Sequence, residues 1–520
     1  MLKLNVRNAI LAAMGTCAAV CAAPSIVRAD DTQDIKQLKE QVRQMQEKLD
    51  RMSAGQGATQ PKTTCSVAAP APVNQGTQAT DEPKRKETPA LTFAGITLYG
   101  TVDIGVEYVS HGAPLSQLWS AGLPSFIQSF SNHSITTVNG NGLSQSKIGL
   151  SGVEPIPGFA DLTGIFRLET GFNPWSGRLS DGPGSLALNN GKAVSVRASA
   201  GDSSRAGQIL NGVAFAGFSS KSYGTLTFGR QNGLMQDLLT KYDPQQGAQA
   251  FAPIALSGTS GGLGDTQSLR LDNSLKYVLQ VGPGRVAFIH GFGSDGYVPQ
   301  NSNEITIGAD YAGFSFDALW GVVHGEVAAS SLSAAQVTAI QALGYNPSNT
   351  LAATISDNTG YSLQASYNAK DYFPVKFYAG WERIKYNNPA HTDPVGTIDI
   401  GGYVLGVVNN NAYGSTTGLK QRILQISWIG ARWSPTSAFD LTAAGYGYNQ
   451  KSNAANGCRN ASSGTCAGEL ADLSLVADYH FTKRFDSYFG VNWSRVQNGL
   501  SAGFLYTSEY SPMAGVRFNF

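Results

Sequence analysis

Only 14% of the 520 residues are Asp, Glu, Lys or Arg, and 60 are Gly, against roughly 25% charged and about 7% Gly in an average soluble domain. The 21 Tyr, 23 Phe and 7 Trp exclude a disordered chain, and 37 basic against 36 acidic residues exclude a basic nucleic-acid binder. Beyond the N-terminus no run approaches the ~20 apolar residues of a spanning helix; with a mean hydropathy of -0.14, the composition fits a β-barrel, whose wet and lipid-facing residues alternate and cancel in the average.

Residues 1–29 read as a secretory signal. Lys3 and Arg7 form the basic start, Ala9 to Ala23 the apolar stretch, and Val27-Arg28-Ala29 places a small residue before a cleavage point. That stretch is too short for a membrane anchor, and Thr16 and Val20 before Cys17 and Cys21 do not suit a lipidated cysteine. Export makes the other cysteines meaningful. Cys458 and Cys466 bracket a turn-forming Arg-Asn-Ala-Ser-Ser-Gly-Thr and read as a local disulfide; a metal pair lacks neighbouring His or Cys. Cys65 is left over, as a free linker thiol or an inter-chain partner.

Residues 30–52 form the next unit. Ile35, Leu38, Val42, Met45, Leu49 and Met52 are spaced alternately by three and four, the a/d seam of a short coiled-coil helix. Asp34 and Lys39 fall at the flanking g and e positions, where charges pair between helices. Three heptads are marginal alone, so something else must bring the helices together; a solitary amphipathic helix is the plainer alternative. Residues 53–90 are rich in Pro, Ala, Gln and Thr and hold no aromatic residue, which makes them a disordered tether.

From 91 to 520 the period becomes two. In Ile96-Thr97-Leu98-Tyr99-Gly100-Thr101-Val102-Asp103-Ile104-Gly105-Val106-Glu107 one face is apolar, and the other carries Asp103 and Glu107 toward the lumen. Tight turns at Pro155-Ile156-Pro157-Gly158, Lys221-Ser222-Tyr223-Gly224, Val281-Gly282-Pro283-Gly284, Ala312-Gly313 and Ser434-Pro435-Thr436-Ser437 alternate with long polar segments near 110–145, 173–208, 232–268, 324–357 and 387–418. Short turns at one end and long loops at the other are the plan of a transmembrane barrel. Strand starts near 96, 146, 159, 210, 224, 269, 285, 303, 314, 359, 374, 420, 438, 470, 485 and 508 predict an all-β, 16-stranded antiparallel barrel. Eighteen strands result if 324–357 hides a hairpin. An even count returns both chain ends to one side, which places the helix and tether in the periplasm.

The barrel region contains, in order, Thr97-Leu98-Tyr99-Gly100-Thr101-Val102-Asp103, Ser146-Lys147-Ile148-Gly149-Leu150-Ser151-Gly152, Phe166-Arg167-Leu168-Glu169, Gly224-Thr225-Leu226-Thr227-Phe228-Gly229-Arg230-Gln231, Arg270-Leu271-Asp272-Asn273-Ser274-Leu275-Lys276-Tyr277 and Asp478-Tyr479-His480-Phe481. In these segments, and in their order, it resembles the Gram-negative general porin family of outer-membrane channels. The resemblance implies a homotrimer in outer-membrane lipid, and a C-terminal strand read by the barrel-assembly machinery through Gly515, Phe518 and Phe520. It also implies a third loop, 232–268, folded into the barrel and carrying Asp237, Lys241, Asp243 and Asp265. Inward parity sets Arg167, Glu169, Arg270, Asp272 and Lys276 on the facing walls, with Arg230 at the loop's start. Acidic loop and basic wall would together impose a transverse field on passing solutes, or simply brace the loop. The family often has Arg where Lys147 and Ser151 stand, and the coiled coil is an addition to its pattern.

The expected function is passive diffusion of small hydrophilic solutes and ions. Alternatives are a substrate-selective channel, or an envelope-tethering barrel whose helix contacts the cell wall. No cofactor, metal, nucleic acid or catalytic group is expected. The six His (His111, His133, His290, His324, His391 and His480) are scattered without metal spacing, and Gly261-Gly262 resembles no phosphate loop.

Overall fold

The computed structural model describes residues 91–110, 134–180, 184–193, 196, 207–256, 258–264, 270–293, 301–390, 397–400, 403–409, 419–458, 463–502 and 506–520. The signal, the seam from Ile35 to Met52, the tether with Cys65, and Asp265 lie outside these residues.

Alternation is the cause of the architecture, and its sense is inverted relative to a water-soluble sheet. Thr101, Asp103 and Glu107 are buried on the inner face of β1 (Ile96–Val109), whereas Ile96, Leu98 and Val106 are exposed on the outer one. The same holds around the ring: Phe228, Ile307, Leu473 and Phe489 point out, and Glu169, Glu304, Glu382 and Asp472 point in. A polar interior with an apolar rind is stable only where the rind meets lipid.

The wall continues through β2 (Lys147–Pro155), β3 (Leu162–Asn173), β4 (Ala214–Ser220), β5 (Gly224–Asn232), β6 (Arg270–Val281), β7 (Gly284–Gly291) and β8 (Ser302–Tyr311). It is completed by β9 (Phe314–Ser330), β10 (Thr350–Asn368), β11 (Val375–Asn387), β12 (Arg422–Thr436), β13 (Phe439–Lys451), β14 (Gly468–His480), β15 (Phe485–Asn498) and β16 (Ser508–Asn519). Neighbours pair antiparallel, and β16 pairs with β1 from Thr101↔Asn519 to Glu107↔Met513, closing a sixteen-stranded barrel. Tight turns join the strands at one end; at Ala312-Gly313 both residues hold positive φ (48° and 81°), the left-handed pair a two-residue hairpin needs. Long connections occupy the other end, and Cys458 and Cys466 are joined by a disulfide within the connection after β13.

Two departures from the expected layout have local causes. Both ends of the segment 324–357 are strand: β9 runs on to Ser330 and β10 begins at Thr350 rather than near 359. A register shift between Val323 and Glu326, with Gly325 at φ 67°, swaps the faces of β9 and breaks the period that sequence reading relies on. The connection there carries a helix, Ala334–Ala342, and no hairpin. The additional hairpin lies instead at Thr397–Ile400 and Tyr403–Asn409, and its second arm runs parallel to Thr350–Thr354 as an appendage, so the count stays at sixteen.

Candidate pore constriction

The connection after β5 turns into the lumen as helix α1, Leu234–Tyr242. Leu234, Met235, Leu238, Leu239 and Tyr242 repeat at helical spacing and pack on Ile289, Leu319, Val323, Ile384, Ile426 and Trp428 of the wall. Fully burying each such side chain contributes about 1.5–3 kcal/mol, so the loop adheres to the barrel as a core does. Its first turn has no side-chain cap of its own; Glu304 of β8 accepts the Met235 N–H (2.9 Å) and sets a carboxylate at the positive end of the helix. Gly233 leaves room for that carboxylate, since a Cβ there would lie 2.8 Å from Glu304 Oε1.

Beyond α1 the loop follows the inner wall. Asp243 accepts the Tyr446 hydroxyl (2.6 Å) and the N–H groups of Gln245 (3.2 Å) and Gly247 (2.8 Å); burial pushes its carboxyl up. The Gln245 amide reaches Ser474 Oγ (2.9 Å), and Phe251 meets Tyr488 edge-on at 6.3 Å. On the return, Ser260 bonds Glu382, and Leu263 lies over Gly321 and Gly360.

The residues singled out from sequence are brought together in three groups. Asp237 pairs with Lys276, whose ammonium also donates to the Asn232 carbonyl (3.1 Å). Lys241 lies 3.3 Å from Asp317 and 3.7 Å from Asp310, and burial holds its ammonium below the usual lysine range. Arg230, at a register shift between Gly229 and Gln231, donates to the carbonyls of Asn211 (3.1 Å) and Gly212 (3.0 Å) and pairs with the exposed Asp272 (2.6 Å). Arg270 opens β6, half-buried.

On β1 to β3 Arg167 donates to Tyr99 Oη (2.6 Å) and Glu169 (3.0 Å), and Lys147 reaches the same carboxylate at 3.3 Å. Two cations therefore share Glu169, and they keep 30% and 29% of their side-chain surface open to the lumen. Asp103 is inward but enclosed: it accepts the N–H groups of Gly142, Leu143 and Ser144 and the Tyr488 hydroxyl (2.7 Å). Glu107 accepts from Asn139 (2.6 Å). Gly515 leaves room for Tyr488, whose hydroxyl would stand 2.4 Å from any Cβ. Phe518 stacks on Phe520 at 6.3 Å on the outer surface.

Sequence reasoning missed Tyr99 as a member of this cluster, although it shares the inward parity of its strand; Lys147 was noted only as standing where the family often has Arg. It also missed Arg285, which donates to Asp317 (2.7 Å), Asp310 (2.5 Å) and Tyr242 Oη (2.9 Å). Cross-strand register from Gly284↔Ala309 onward is what places Arg285 and Asp310 together, and a single strand read alone does not show it. His480 lies 3.2 Å from Asp440, and its neighbours Asp478 and Asp486 are both engaged by Arg517.

Comparison with known proteins agrees with this layout. Among solved structures, an anion-selective porin from Comamonas acidovorans matches with a TM-score of 0.50 and 16% identity, over 82% of this chain and 99% of that one. A loop-deletion form of OmpT, an outer membrane protein of Vibrio cholerae, matches with a TM-score of 0.51 and 12% identity, over 82% and 99%. No curated protein matches at the level of sequence. The Gram-negative porin profile matches residues 63–499. With its closed barrel, inverted alternation and infolded loop, the chain belongs to the Gram-negative porin family, an outer-membrane channel protein.

Proposed function

We propose that the chain forms a homotrimeric general-diffusion channel in which the Lys147–Arg167 pair supplies the basic side of the constriction. The observation that carries this reading is the sharing of one carboxylate: Lys147 and Arg167 both pair with the buried Glu169 and keep nearly a third of their side chains open, while Asp237, itself 36% open, is matched one to one by Lys276, and Asp243 is bonded to Tyr446 and to the loop itself. A surplus cation on an open wall draws anions and orients dipoles in the narrow section. Arg270, half-buried at the start of β6, is the further cation this reading assigns to the narrow section, from the strand that carries Lys276.

The test is a planar-bilayer recording of the purified chain. Large ohmic steps in groups of three are expected, with a reversal potential that moves toward cations when Arg167 and Arg270 are replaced by Ala; an unmoved potential refutes the assignment. Saturation by a single solute would indicate a substrate-selective channel instead. The N-terminal region, in this reading, lies in the periplasm, where the seam from Ile35 to Met52 assists trimer formation and contacts the cell wall; Gly515, Phe518 and Phe520 present the assembly signal. Deletion of 30–89 should then lower trimer stability and envelope attachment without changing single-channel conductance.

A further inference from the structure

Where the infolded loop ends its descent, the inner wall sets two cations side by side. Lys376, near the start of β11, stands directly opposite Arg432, near the end of β12. Both share the inward parity of their strands with Tyr378 and Trp428, and both are half-buried. They lie two residues nearer the tight turns than Tyr378 and Gly430. Gly430 is where the loop rests on the wall, since a Cβ there would lie 2.5 Å from Pro244 Cγ. Like charges directly opposite one another destabilise a sheet, so the pair costs stability unless an anion lies between them.

Neither cation lies within ion-pair distance of a carboxylate among the described residues. Arg432 donates to neutral oxygens, Thr442 Oγ1 (3.3 Å) and the Pro244 carbonyl (3.0 Å), which hold the guanidinium in place and leave its other N–H groups uncommitted. Lys376 lies over the Tyr378 ring at 4.9 Å. The charges that reach Lys376 are Arg432 and Lys241, both repulsive, and Asp310. Nearby acids are already committed: Asp310 to Arg285 (2.5 Å) and Lys241 (3.7 Å), Asp440 to Ser434 and to His480 (3.2 Å), and the enclosed Asp243 to Tyr446 (2.6 Å). Directly opposite residues carry their Cβ atoms about 4.5–5.5 Å apart, so the ammonium and the guanidinium can hold one small oxyanion between them. A doubly charged oxyanion gains most, and phosphate matches the guanidinium fork.

We infer that Lys376 and Arg432 form a discrete phosphate-binding site on the tight-turn side of the loop, for inorganic phosphate or the phosphate of a small monoester. It lies on a different stretch of wall from Lys147 and Arg167, and a binding measurement keeps its test independent of the selectivity assigned to them. Full-length protein in uncharged detergent would be titrated calorimetrically with inorganic phosphate and with glycerol monophosphate, at constant ionic strength set by chloride. Wild type should bind phosphate at one site per chain, and binding should weaken about tenfold or more in Lys376→Gln, which removes no hydrogen bond to the loop. Lys376→Glu, which gives Arg432 a cross-strand partner, should abolish binding and raise the unfolding temperature. Phosphate should raise the unfolding temperature of wild type and of neither variant. Arg383→Gln, which removes a cation from the outward face of the same strand, should bind as wild type does. Tighter binding of the monoester would assign the site to phosphorylated solutes, and tighter binding of the inorganic ion to free phosphate. Absence of phosphate binding in wild type overturns the proposal, as does undiminished binding in Lys376→Gln. Binding lost in Lys147→Gln and kept in Lys376→Glu would overturn it too, moving the anion to the open wall.

Discussion

The lumen has two walls, and the infolded loop treats them differently. From β8 to β14 the inward polar groups are engaged by the loop: Glu304 caps α1, Asp317 holds Lys241 and Tyr242, Tyr446 holds Asp243, and Ser474 holds Gln245. On β1 to β3 Tyr99, Lys147, Arg167 and Glu169 satisfy one another and leave surface to the water. The same residue types, spaced alike in sequence, therefore anchor a loop on one side and face solutes on the other. Engagement by the loop separates the two roles; exposure does not, since Lys241 keeps 35% of its side chain open against 29% for Lys147.

The comparison is broken most severely on the covered wall. Asp317, 1% exposed, is shared by Arg285, Lys241 and the Tyr242 hydroxyl. Replacing it with Ala removes the buried carboxylate and leaves Arg285 and Lys241 only the half-exposed Asp310, at a cost below the roughly 3–5 kcal/mol of a fully broken buried pair. Asp317→Ala should lower the unfolding temperature in detergent and give larger, noisier conductance as α1 detaches; quiet wild-type steps would mean that the loop is held otherwise. Leu239→Ala attacks the same contact without charge. Leu239 is fully buried, and a cavity there costs about 2–4 kcal/mol, so calorimetry should show a drop with ion selectivity kept.

On the open wall the order reverses. Lys147→Gln leaves Glu169 its Arg167 partner and removes only a partly exposed cation, so it should change stability by about 1 kcal/mol, yet shift the reversal potential toward cations. A stability loss without that shift would place Lys147 with the anchors. The smallest effect belongs to the turn before β3. Hydrogen bonds from Ser222, Lys221 and Ser220 hold the Asp161 carboxyl down to about 2 from 3.8. Its folded value is the lower one, so the stabilisation is complete above the unfolded value and disappears as pH falls through about 2. Protection of the Lys221 and Ser222 amides against exchange should fall between pH 4 and pH 2 in wild type and stay low and flat in Asp161→Asn.

Much of the barrel was legible because its determinants are local. Period-two alternation and turns such as Ala312-Gly313 act within a few residues, and the predicted starts at 96, 224, 314, 485 and 508 coincide with the strands. Bulges were not legible, since one extra residue reverses a face without altering composition: Gly325 concealed the end of β9, and the irregularity at Gly229–Gln231, with Asn273 at φ 47° beside it, lies where Arg230 meets the exposed Asp272. The shared parity of Arg167 with Glu169 can be read from β3, but the partner each side chain engages cannot. Asp243 and Tyr446 are 203 positions apart, and no spacing rule joins them.

Asp103 carries a mechanical consequence. Its carboxylate on β1 is reached by Tyr488 from β15, which passes over Gly515 of the intervening β16. A hoop formed from a ribbon has one joint, and here the fastening spans the joint instead of lying along it. It can be set only after β16 has been slotted between its neighbours, so a ring missing that stave has nothing to lock. Once set, it loads three adjacent staves together, and peeling β16 away means first drawing a tyrosine out of a closed polar pocket.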